Sequence, residues 1–402
     1  MKVLHTSDWH IGHRLHEHSQ FEEQTLYFEW LVNTIITHKI DVLLVSGDVF
    51  DSANPSSQSK KMYYDALLQI NNTVCKHIII TGGNHDSPGM LAAPKELLSA
   101  LAIQVVAKAT KEVKDEVFEF EIDKEHLIVA AVPFLRDQDI RRAVANEDFD
   151  EITEKYKFAL KNHYNAVASH CHALKKENSI VIAMGHLFAV DAQTSESEKD
   201  IYIGNLGHIN ASDFSDVFDY VALGHLHRAQ IVGNNAHIRY CGSPLVYSFS
   251  EVLNDKMSIL LHIENGKIKA IEELEIPRFR LIKSYKGDVD HCINKIKIFQ
   301  NNKYKLRPWI EIKLDEKENI GLHNSTINAV AAEHNIDVLK ISLQLQKKET
   351  NIDELLANAK NIKQLKPIDV FKMKCDERNI NLEENDELVD AFYEVLRIAE
   401  KM

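Results

Sequence analysis

The amino-acid sequence predicts an α/β domain of layered sheets and helices, followed by a small α+β module and a helical C-terminal region. Over the first two-thirds of the chain, short continuous apolar runs alternate with segments whose apolar residues recur at helical spacing. Beyond Pro277 the charge changes sign, because residues 278–348 contain 14 Lys and Arg but 8 Asp and Glu. Continuous apolar runs are typical of strands buried on both faces, so helices are expected to cover the sheets.

The individual elements follow from these patterns. Strands are predicted at residues 3–7, 41–46, 77–81, 117–122, 126–132, 180–184, 220–223, 238–240, 258–263 and 268–274. Helices are predicted at residues 21–37, 60–71, 95–102 and 150–176. Asn265-Gly266 predicts a type I′ hairpin between the last two of these strands.

Pro277 marks the predicted boundary of the first domain. The sequence predicts a domain at 1–276, a basic module at 277–348 and a helical region at 349–402. In the basic module, strands are expected at 309–314 and 339–345, with helices near 292–299 and 325–334. Beyond it, Pro at a predicted first helical turn and the apolar stripe of Leu388, Phe392 and Leu396 indicate helices.

Composition excludes several classes of protein. With 402 residues, 45% hydrophobic content and a net charge of −13, the chain is neither globally disordered nor a small disulfide scaffold. We expect no signal peptide and no membrane span. Five cysteines scattered singly are typical of reduced thiols, which predicts a cytoplasmic protein. The acidic total argues against nucleic-acid binding by the whole surface, but a local basic patch stays possible.

Polar side chains follow five of the predicted strands, at the point where each strand ends. Such strand ends meet at one edge of an α/β sheet, which is where ligands bind. The residues at these five ends are Asp8 and His10, Asp48, Asn84 with His85 and Asp86, His186, and finally His225 and His227. A single D-x-H or G-H pair is usually only a turn, but five such ends in order are hard to explain by core packing.

Carboxylate, amide and imidazole groups without a thiolate suit Mn²⁺, Fe²⁺ or Zn²⁺. These candidate side chains are more than one ion needs, so two ions are expected. Two ions that share a carboxylate can clamp both the attacking and the leaving oxygen of a phosphoryl transfer. Asp48 is the natural bridge, because its carboxylate has two oxygens.

The motifs DWH, GDVFD, GNHD, GHL and GHLH resemble the metallophosphoesterase superfamily. The longer motifs DWHIG, PFLRDQDI, DIYIG, ALGHLHRAQI and RYCGSP are similar to the SbcD family, the nuclease subunits of bacterial SbcCD complexes. The likeness is dense over residues 1–250 and weaker but collinear beyond, where it includes LKPIDVF. It implies a four-layer α-β-β-α sandwich with a small α+β cap domain and C-terminal helices.

The resemblance also implies roles for the strand-end residues. One ion is expected on Asp8, His10, Asp48 and His227, and the other on Asp48, Asn84, His186 and His225. His85 would lie near the scissile phosphate, where it stabilises charge or protonates the leaving oxygen, and Asp86 would orient it. Asp51 departs from some archaeal relatives, which carry a phosphate-contacting His there, so its role here is open.

The activity implied by the family is a Mn²⁺-preferring DNA nuclease. It combines 3′-to-5′ exonuclease activity on duplex DNA with endonuclease activity on single strands and hairpins, in DNA repair and recombination. The resemblance implies an SbcC-type ATPase as the partner. Because this chain has no G-x-x-x-x-G-K-[ST] motif, any ATP used would be bound by that partner. A homodimer within a heterotetramer is expected, with helices 21–37 and 60–71 as candidates for its interface. Two alternatives stay open: a phosphomonoesterase or small-nucleotide phosphodiesterase, and a non-catalytic tether of DNA ends.

Two further surfaces are predicted outside the strand ends. The basic module is expected to hold duplex DNA by its phosphates, although a charged run is more often only a solvated face. The candidate DNA contacts are Arg136, Arg278, Arg280, Lys303, Lys305 and Arg307. The C-terminal apolar residues would grip the ATPase partner or fold back on the cap, and the candidates are Phe371, Leu388, Phe392 and Leu396.

Overall fold

A computed structural model describes residues 1–140, 149–189, 209–299, 304–315 and 320–343, together with Phe371, Cys375, Leu388 and Phe392. The strands are β1 (Lys2–Thr6), β2 (Arg14–Leu15), β3 (His18–Ser19), β4 (Val42–Ser46), β5 (His77–Thr81), β6 (Ile103–Val106), β7 (Val117–Ile122), β8 (Glu125–Ala131), β9 (Ser179–His186), β10 (Tyr220–Gly224), β11 (Gln230–Val232), β12 (Asn235–Tyr240), β13 (Met257–Glu264), β14 (Lys267–Glu275), β15 (Ile282–Gly287), β16 (Trp309–Leu314) and β17 (Asp337–Leu343). The helices are α1 (Phe21–His38), α2 (Ser57–Asn71), α3 (Pro88–Ala92), α4 (Lys95–Ser99), α5 (Asp137–Ile140), α6 (Phe149–Leu174), α7 (Val289–Lys297) and α8 (Ile320–Glu333). The chain divides into two compact units, Met1–Ser342 and Leu343–Met402.

Two six-stranded sheets form the centre of the first unit. The first has the order β14-β13-β1-β4-β5-β6, and the second has the order β11-β12-β10-β9-β8-β7. In the first sheet, β1, β4, β5 and β6 run parallel, and in the second β8, β9, β10 and β12 run parallel. The parallel strands therefore end at a common edge of each sheet.

The sheets pack face to face, and helices cover their outer faces. Val3 and Leu44 of the first sheet share one buried cluster with Ile182 and Ala222 of the second. The outer face of the first sheet packs against α1 and α2, and that of the second packs against α6. The layers are thus α-β-β-α, and the predicted α/β sandwich is confirmed.

Local sequence explains why the main elements form where they do. The VLLVS run of β4 is buried throughout, as expected for a central strand. Helix α1 buries Leu31 and Ile35 on one face and ends at Lys39, whose φ of 54° stops the helix. Helix α2 begins three residues before its predicted start, because Ser56 caps it by accepting a hydrogen bond from the Ser59 amide.

A three-stranded sheet follows the sandwich. Its order is β15-β16-β17, and β15 and β16 run parallel with α7 between them in the chain. Helix α7 contacts α8, so the segment is a small α+β module, as predicted. The boundary itself, between residues 276 and 277, stays a prediction.

Within the described ranges, none of the helices combines the length and the apolar character needed to cross a bilayer. In the second unit, Phe371 and Phe392 have helical backbone, and their rings stack with centroids 4.2 Å apart and an interplanar angle of 16°. Leu388 is also helical and is 38% exposed. Leu396 lies outside the described residues.

Candidate metal centre

The ends of β1, β4, β5, β9 and β10 bring the predicted metal ligands of both sheets together. Contacts between the strand ends join the sheets at this edge. The Nε2 atom of His186, the last residue of β9, lies 3.3 Å from Oδ2 of Asp48, after β4. The amide of His225, after β10, donates to Oδ1 of Asp8, after β1, at 3.0 Å. Sequence order alone separates these partners by well over a hundred residues, so only the two-sheet packing makes one site of them.

The backbone at the strand ends is held in a conformation that most residues avoid. Four of the predicted ligands have positive φ: Asp8 at 52°, His10 at 41°, Asp48 at 48° and His225 at 103°. Non-glycine residues in this region cost free energy and are found where the surrounding structure over-determines them, often at functional sites. The strain therefore marks this edge as the candidate site.

The neighbouring glycines let the strand ends approach closely. A Cβ atom at Gly83 would lie 2.1 Å from Oδ1 of Asp48, and one at Gly47 would lie 2.2 Å from Nδ1 of His186. Both distances are far below van der Waals contact. Any side chain at either position would therefore push a predicted ligand away from the site.

The first group of donor atoms belongs to Asp8, His10 and His227. One ligand atom of each lies within 4.8 Å of the others, and all three residues are buried. The Nε2 atoms of His10 and His227 are 3.2 Å apart, and Nε2 of His10 is 3.6 Å from Oδ2 of Asp48. Asp48 thus borders this group as well as the next.

The second group belongs to Asp48, His186 and His225, whose ligand atoms also lie within 4.8 Å of one another. Asn84 joins it, because Oδ1 of Asn84 is 2.9 Å from Nε2 of His186. The opposite ring nitrogen of His186, Nδ1, donates to the Ser46 carbonyl oxygen at 2.9 Å. That hydrogen bond makes Nε2 the ring nitrogen that faces Asp48 and Asn84 and that a metal ion would use once its proton is lost.

Burial and mutual charge shift the pKa values of these groups in opposite directions. Burial raises the pKa of Asp8 to about 6, although His186 and His227 counteract it. Burial acts on Asp48 in the same sense, but the charge and hydrogen bond of His186 outweigh it and hold the pKa well below its usual range. The same pairing raises the pKa of His186 to about 9, against the effect of burial.

The pKa values of two other imidazoles, those of His10 and His225, are lowered. Burial lowers the pKa of His10 to about 4, and burial together with the nearby His186 lowers that of His225 well below 6.5. Neutral imidazole is the form that coordinates a metal ion, and a bound cation also favours ionised carboxylates. The protein therefore already holds Asp48 ionised and His10 and His225 neutral, as metal ligands must be. Asp8 and His186 have raised pKa values, so they would lose a proton when a metal ion binds.

These residues fit two divalent ions. The donors are carboxylate and amide oxygens and imidazole nitrogens, grouped on either side of Asp48. Nδ1 of His10 is buried and lies 3.5 Å from Oδ1 of Asp51, too far for a good hydrogen bond. Such crowding of acceptor atoms in a buried space is costly unless a cation balances it. The assignment of individual residues to one ion or the other stays a prediction.

His85 lies beside the donor groups, and its ring is held from the side away from them. Nδ1 donates to the backbone carbonyl of Asp51 at 2.7 Å, while Nε2 is 4.0 Å from Oδ2 of Asp48. Because Nδ1 must carry the hydrogen in that bond, Nε2 is the atom that can exchange a proton. The residue whose role was open, Asp51, thus supplies the backbone carbonyl that orients His85.

The expected role of Asp86 needs correction. Its buried carboxylate accepts hydrogen bonds from the amides of Val49, Phe50 and Gly83, at 3.1, 2.9 and 2.9 Å. It therefore ties the loop after β4 to the loop after β5. Asp86 positions His85 through the backbone of these loops, since the bond that fixes Nδ1 of the ring comes from Asp51.

Arg136 approaches the same loop. Its Nη2 atom donates to the carbonyl oxygen of Asp86 at 3.1 Å, and its guanidinium lies 5.6 Å from the ring centroid of Phe134. Nη1 is buried without a hydrogen-bond partner in the described part of the chain. A guanidinium with unused donor capacity beside His85 suits a phosphate oxygen.

The structure contradicts the prediction that Arg280 contacts DNA, because its side chain is buried and paired within the protein. Arg280 is 6% exposed, and its guanidinium hydrogen-bonds to Glu23 and to Glu22 while lying 4.0 Å from the ring centroid of Trp309. These groups satisfy its charge within the protein. Arg280 therefore fastens the cap to α1 and does not face a phosphate.

The other cap candidates are more accessible. Arg307 pairs with Asp337 at 3.0 Å but stays exposed, and Arg278 donates to the Asn254 carbonyl at 3.2 Å. Lys305 is exposed. Lys303 lies outside the described residues. The DNA-binding role of these four residues stays a prediction.

Sequence reasoning missed three residues that support the site. The hydroxyl of Tyr247 donates to the Trp9 carbonyl at 2.6 Å, and its ring packs 5.1 Å from that of His10. Glu251 accepts from Nδ1 of His227, and Lys256 pairs with Glu251. All three lie away from the strand ends in the sequence, so no spacing pattern could have identified them.

The sequence matches two described families. Residues 1–229 match the family Calcineurin-like phosphoesterase, and residues 278–379 match the family Type 5 capsule protein repressor C-terminal domain. The chain is 31% identical over 350 residues to the SbcD subunit of the nuclease SbcCD from Escherichia coli strain K12, which covers 87% of this chain and 86% of that protein. It is 26% identical over 329 residues to the protein of that name in Bacillus subtilis strain 168, covering 80% and 81%. The corresponding Rhodobacter capsulatus protein is 31% identical over 295 residues, covering 69% and 70%.

Proposed function

Because this chain belongs to the calcineurin-like phosphoesterase family, and within it to the SbcD nucleases, we propose that it is a two-metal DNA nuclease that prefers Mn²⁺. Family membership makes the chain a metal-dependent phosphodiesterase. The observation that carries the two-metal proposal is the pair of buried donor groups on either side of Asp48, with His85 beside them.

The proposed chemistry divides between the ions and the chain. When bound, two divalent ions supply Lewis-acid polarisation of the phosphodiester and lower the pKa of the attacking water. Asp8, His10 and His227 would hold one ion, and His186, His225 and Asn84 the other, with Asp48 shared. Within the chain itself, the Asp51 carbonyl accepts the Nδ1 hydrogen of His85 and so fixes the orientation of the ring. Nε2 of His85 faces the donor groups, and in the doubly protonated ring it would give its proton to the leaving 3′-oxygen as the P–O3′ bond breaks and then regain a proton from water.

Substrate and polarity are the finer part of the proposal. We infer 3′-to-5′ exonuclease action on duplex ends and endonuclease action on single strands and hairpins, in DNA repair and recombination. The basic charge of residues 278–348 supports a DNA substrate, because phosphate contacts dominate nonspecific affinity for DNA. Arg136 and the accessible cap residues Arg278, Lys305 and Arg307 are the proposed contacts that the structure describes.

The proposed partner is an SbcC-type ATPase, bound by residues 349–402. The names of the relatives describe one subunit of a larger nuclease, and this chain lacks a phosphate-binding loop of its own. The stacked pair Phe371 and Phe392, with exposed Leu388 nearby in sequence, supports an apolar contact surface.

We also propose a homodimer within a heterotetramer. A cytoplasmic location is supported by the five free, buried cysteines.

The function is tested by cleavage of 5′-labelled and 3′-labelled duplex and hairpin DNA. The purified chain is assayed with Mn²⁺, Mg²⁺ or Zn²⁺, with and without the ATPase subunit and ATP. We expect cleavage that needs the metal and is strongest in Mn²⁺. The variant Asp48→Asn should lose at least about 10⁴-fold, because each ion contributes several kcal/mol to transition-state stabilisation and each tenfold costs about 1.4 kcal/mol.

Two results would overturn the proposal. Hydrolysis of p-nitrophenyl phosphate without cleavage of any DNA would indicate a phosphomonoesterase of the same fold. Binding of DNA ends without cleavage of any substrate, in any of the metals and with the ATPase subunit present, would indicate a non-catalytic tether.

A further inference from the structure

We propose that the buried ion pair of Glu251 and Lys256 positions His227 for its metal ion, and so tunes one of the two metal positions separately from the other. The inference rests on the proposed two-metal function and deepens it. Both residues lie beyond the family match at residues 1–229, and neither belongs to a strand end.

The ion pair is enclosed completely. Nζ of Lys256 lies 2.5 Å from Oε2 of Glu251, and the two residues are 4% and 0% exposed. Removing two charges from water costs several kcal/mol per ion, which their attraction only partly offsets. An apolar pair would fill the same space at less cost, so stability alone does not account for a charged pair here.

The pair holds His227 at two places. Oε1 of Glu251 accepts the Nδ1 hydrogen of the His227 ring at 3.2 Å, and Nζ of Lys256 donates to the His227 backbone carbonyl at 3.2 Å. Lys256 also donates to Oγ of Ser243 at 2.8 Å, which anchors the ammonium group from a third direction. The ring and the backbone of His227 are therefore fixed by one small network.

The chemical consequence concerns the other ring nitrogen. With Nδ1 donating to a carboxylate, Nε2 keeps its lone pair, and it points at the site, 3.2 Å from Nε2 of His10. A carboxylate behind a ligating imidazole fixes the tautomer, fixes the ring orientation and makes the ligand more basic. Glu251 stands behind His227 in this arrangement.

At the second metal position, the group behind His186 is neutral. His186 donates its Nδ1 hydrogen to a neutral backbone carbonyl, that of Ser46. The two positions thus have histidines supported by different groups, one anionic and one neutral. Weakening the Glu251 contact should therefore affect the ion at Asp8, His10 and His227 and leave the ion at His186 and His225 in place.

The test is a calorimetric titration of the metal-free, full-length protein with Mn²⁺, with Co²⁺ absorption spectra as a second readout. The wild type is expected to bind two ions. Glu251→Gln should weaken one of the two about 10–100-fold, the usual effect of removing such a supporting carboxylate, and change the Co²⁺ bands of that ion only. Glu251→Asp keeps the charge beside Lys256 but withdraws the carboxylate from His227, so it should weaken the same ion and serves as the test if Glu251→Gln does not fold.

Glu23→Gln is the matched control, because it breaks another buried ion pair, with Arg280, that does not touch the donor groups. It should bind both ions as the wild type does. Unchanged binding of both ions in the Glu251 variants would overturn the inference alone. Equal weakening of both ions in the Glu251 variants and in Glu23→Gln would assign the ion pair to general stability. A wild type that binds fewer than two ions would overturn the inference together with the proposed function.

Discussion

The strand-end edge of the sandwich and the basic cap segment differ in how they use their charged residues. At the edge, the predicted metal ligands lie together where both sheets end, and all of them except half-buried Asn84 are buried. In the cap, Arg280 forms ion pairs with Glu22 and Glu23 and packs on the ring of Trp309. Arg307 forms an ion pair with Asp337. The edge presents its polar groups to a ligand, whereas the cap uses part of its charge for its own attachment.

The difference teaches what kind of sequence signal predicts a site. Residues that follow parallel strands must meet, because the topology of the sheet brings the carboxyl ends of those strands together. A count of Lys and Arg contains no such geometry. Each cap cation faces whatever the tertiary structure places beside it, and for Arg280 that neighbour is an acidic helix turn on α1.

The largest expected effect falls on the edge. His85→Ala should lower DNA cleavage about 10²–10⁴-fold, the usual contribution of a general acid, while two Mn²⁺ ions still bind. His262→Ala, which removes an imidazole far from the donor groups and paired with Glu272, is the control and should cleave normally. If His85→Ala instead loses the metal ions, His85 is a metal ligand, and its proposed role as a general acid separate from the ligands is wrong.

The next effect concerns Arg280. Arg280→Gln should lower the free energy of unfolding by about 3–5 kcal/mol, because it leaves the buried Glu23 carboxylate without its partner. Arg278→Gln, whose side chain is more exposed and lies 3.8 Å from Asp255, should stay within about 0.5 kcal/mol of the wild type. Urea unfolding measures both. Normal stability of Arg280→Gln combined with weaker DNA binding would restore Arg280 to the DNA surface.

The smallest effect is expected at an accessible cap lysine. Lys305→Ala should reduce the slope of log affinity for duplex DNA against log salt by about 1, since one phosphate contact is lost. Lys267→Ala, at an exposed position on β14, should leave that slope unchanged. A binding titration over several salt concentrations distinguishes them. Equal slopes for Lys305→Ala and the wild type would place the DNA away from this part of the cap.

Most of the fold could be predicted, because the long elements have strong local patterns. The strand runs of β4 and β5 match the prediction closely, and Asn265-Gly266 forms the expected hairpin, with both residues at positive φ. The two-residue strands β2 and β3 were not predicted, since a pair so short has no periodicity to detect. The two strands form a tight hairpin, in which His16 and Glu17 make the turn at positive φ.

The candidate site divides in the same way. Its ligand types and their order along the chain could be predicted, but the supporting groups could not. Asp86 was expected to orient His85, yet the hydrogen bond that fixes Nδ1 of the ring comes from the backbone carbonyl of Asp51. Every residue has such a carbonyl, and no sequence pattern distinguishes this one. Glu251 and Lys256 lie in the loop before β13, and they contact His227 only because the tertiary structure brings this loop against it.

The sequence by itself determined the α/β class, the strand ends that present Asp, Asn and His, and the donor chemistry suited to divalent ions. These follow from periodicity and from residue type, which are local properties of the chain. The tertiary structure alone decided that the ends of two separate sheets form one site, that Asp51 orients His85, and that Arg280 is buried. Each of these depends on groups distant in sequence meeting at a few ångströms, and only the packed sheets and loops determine such distances.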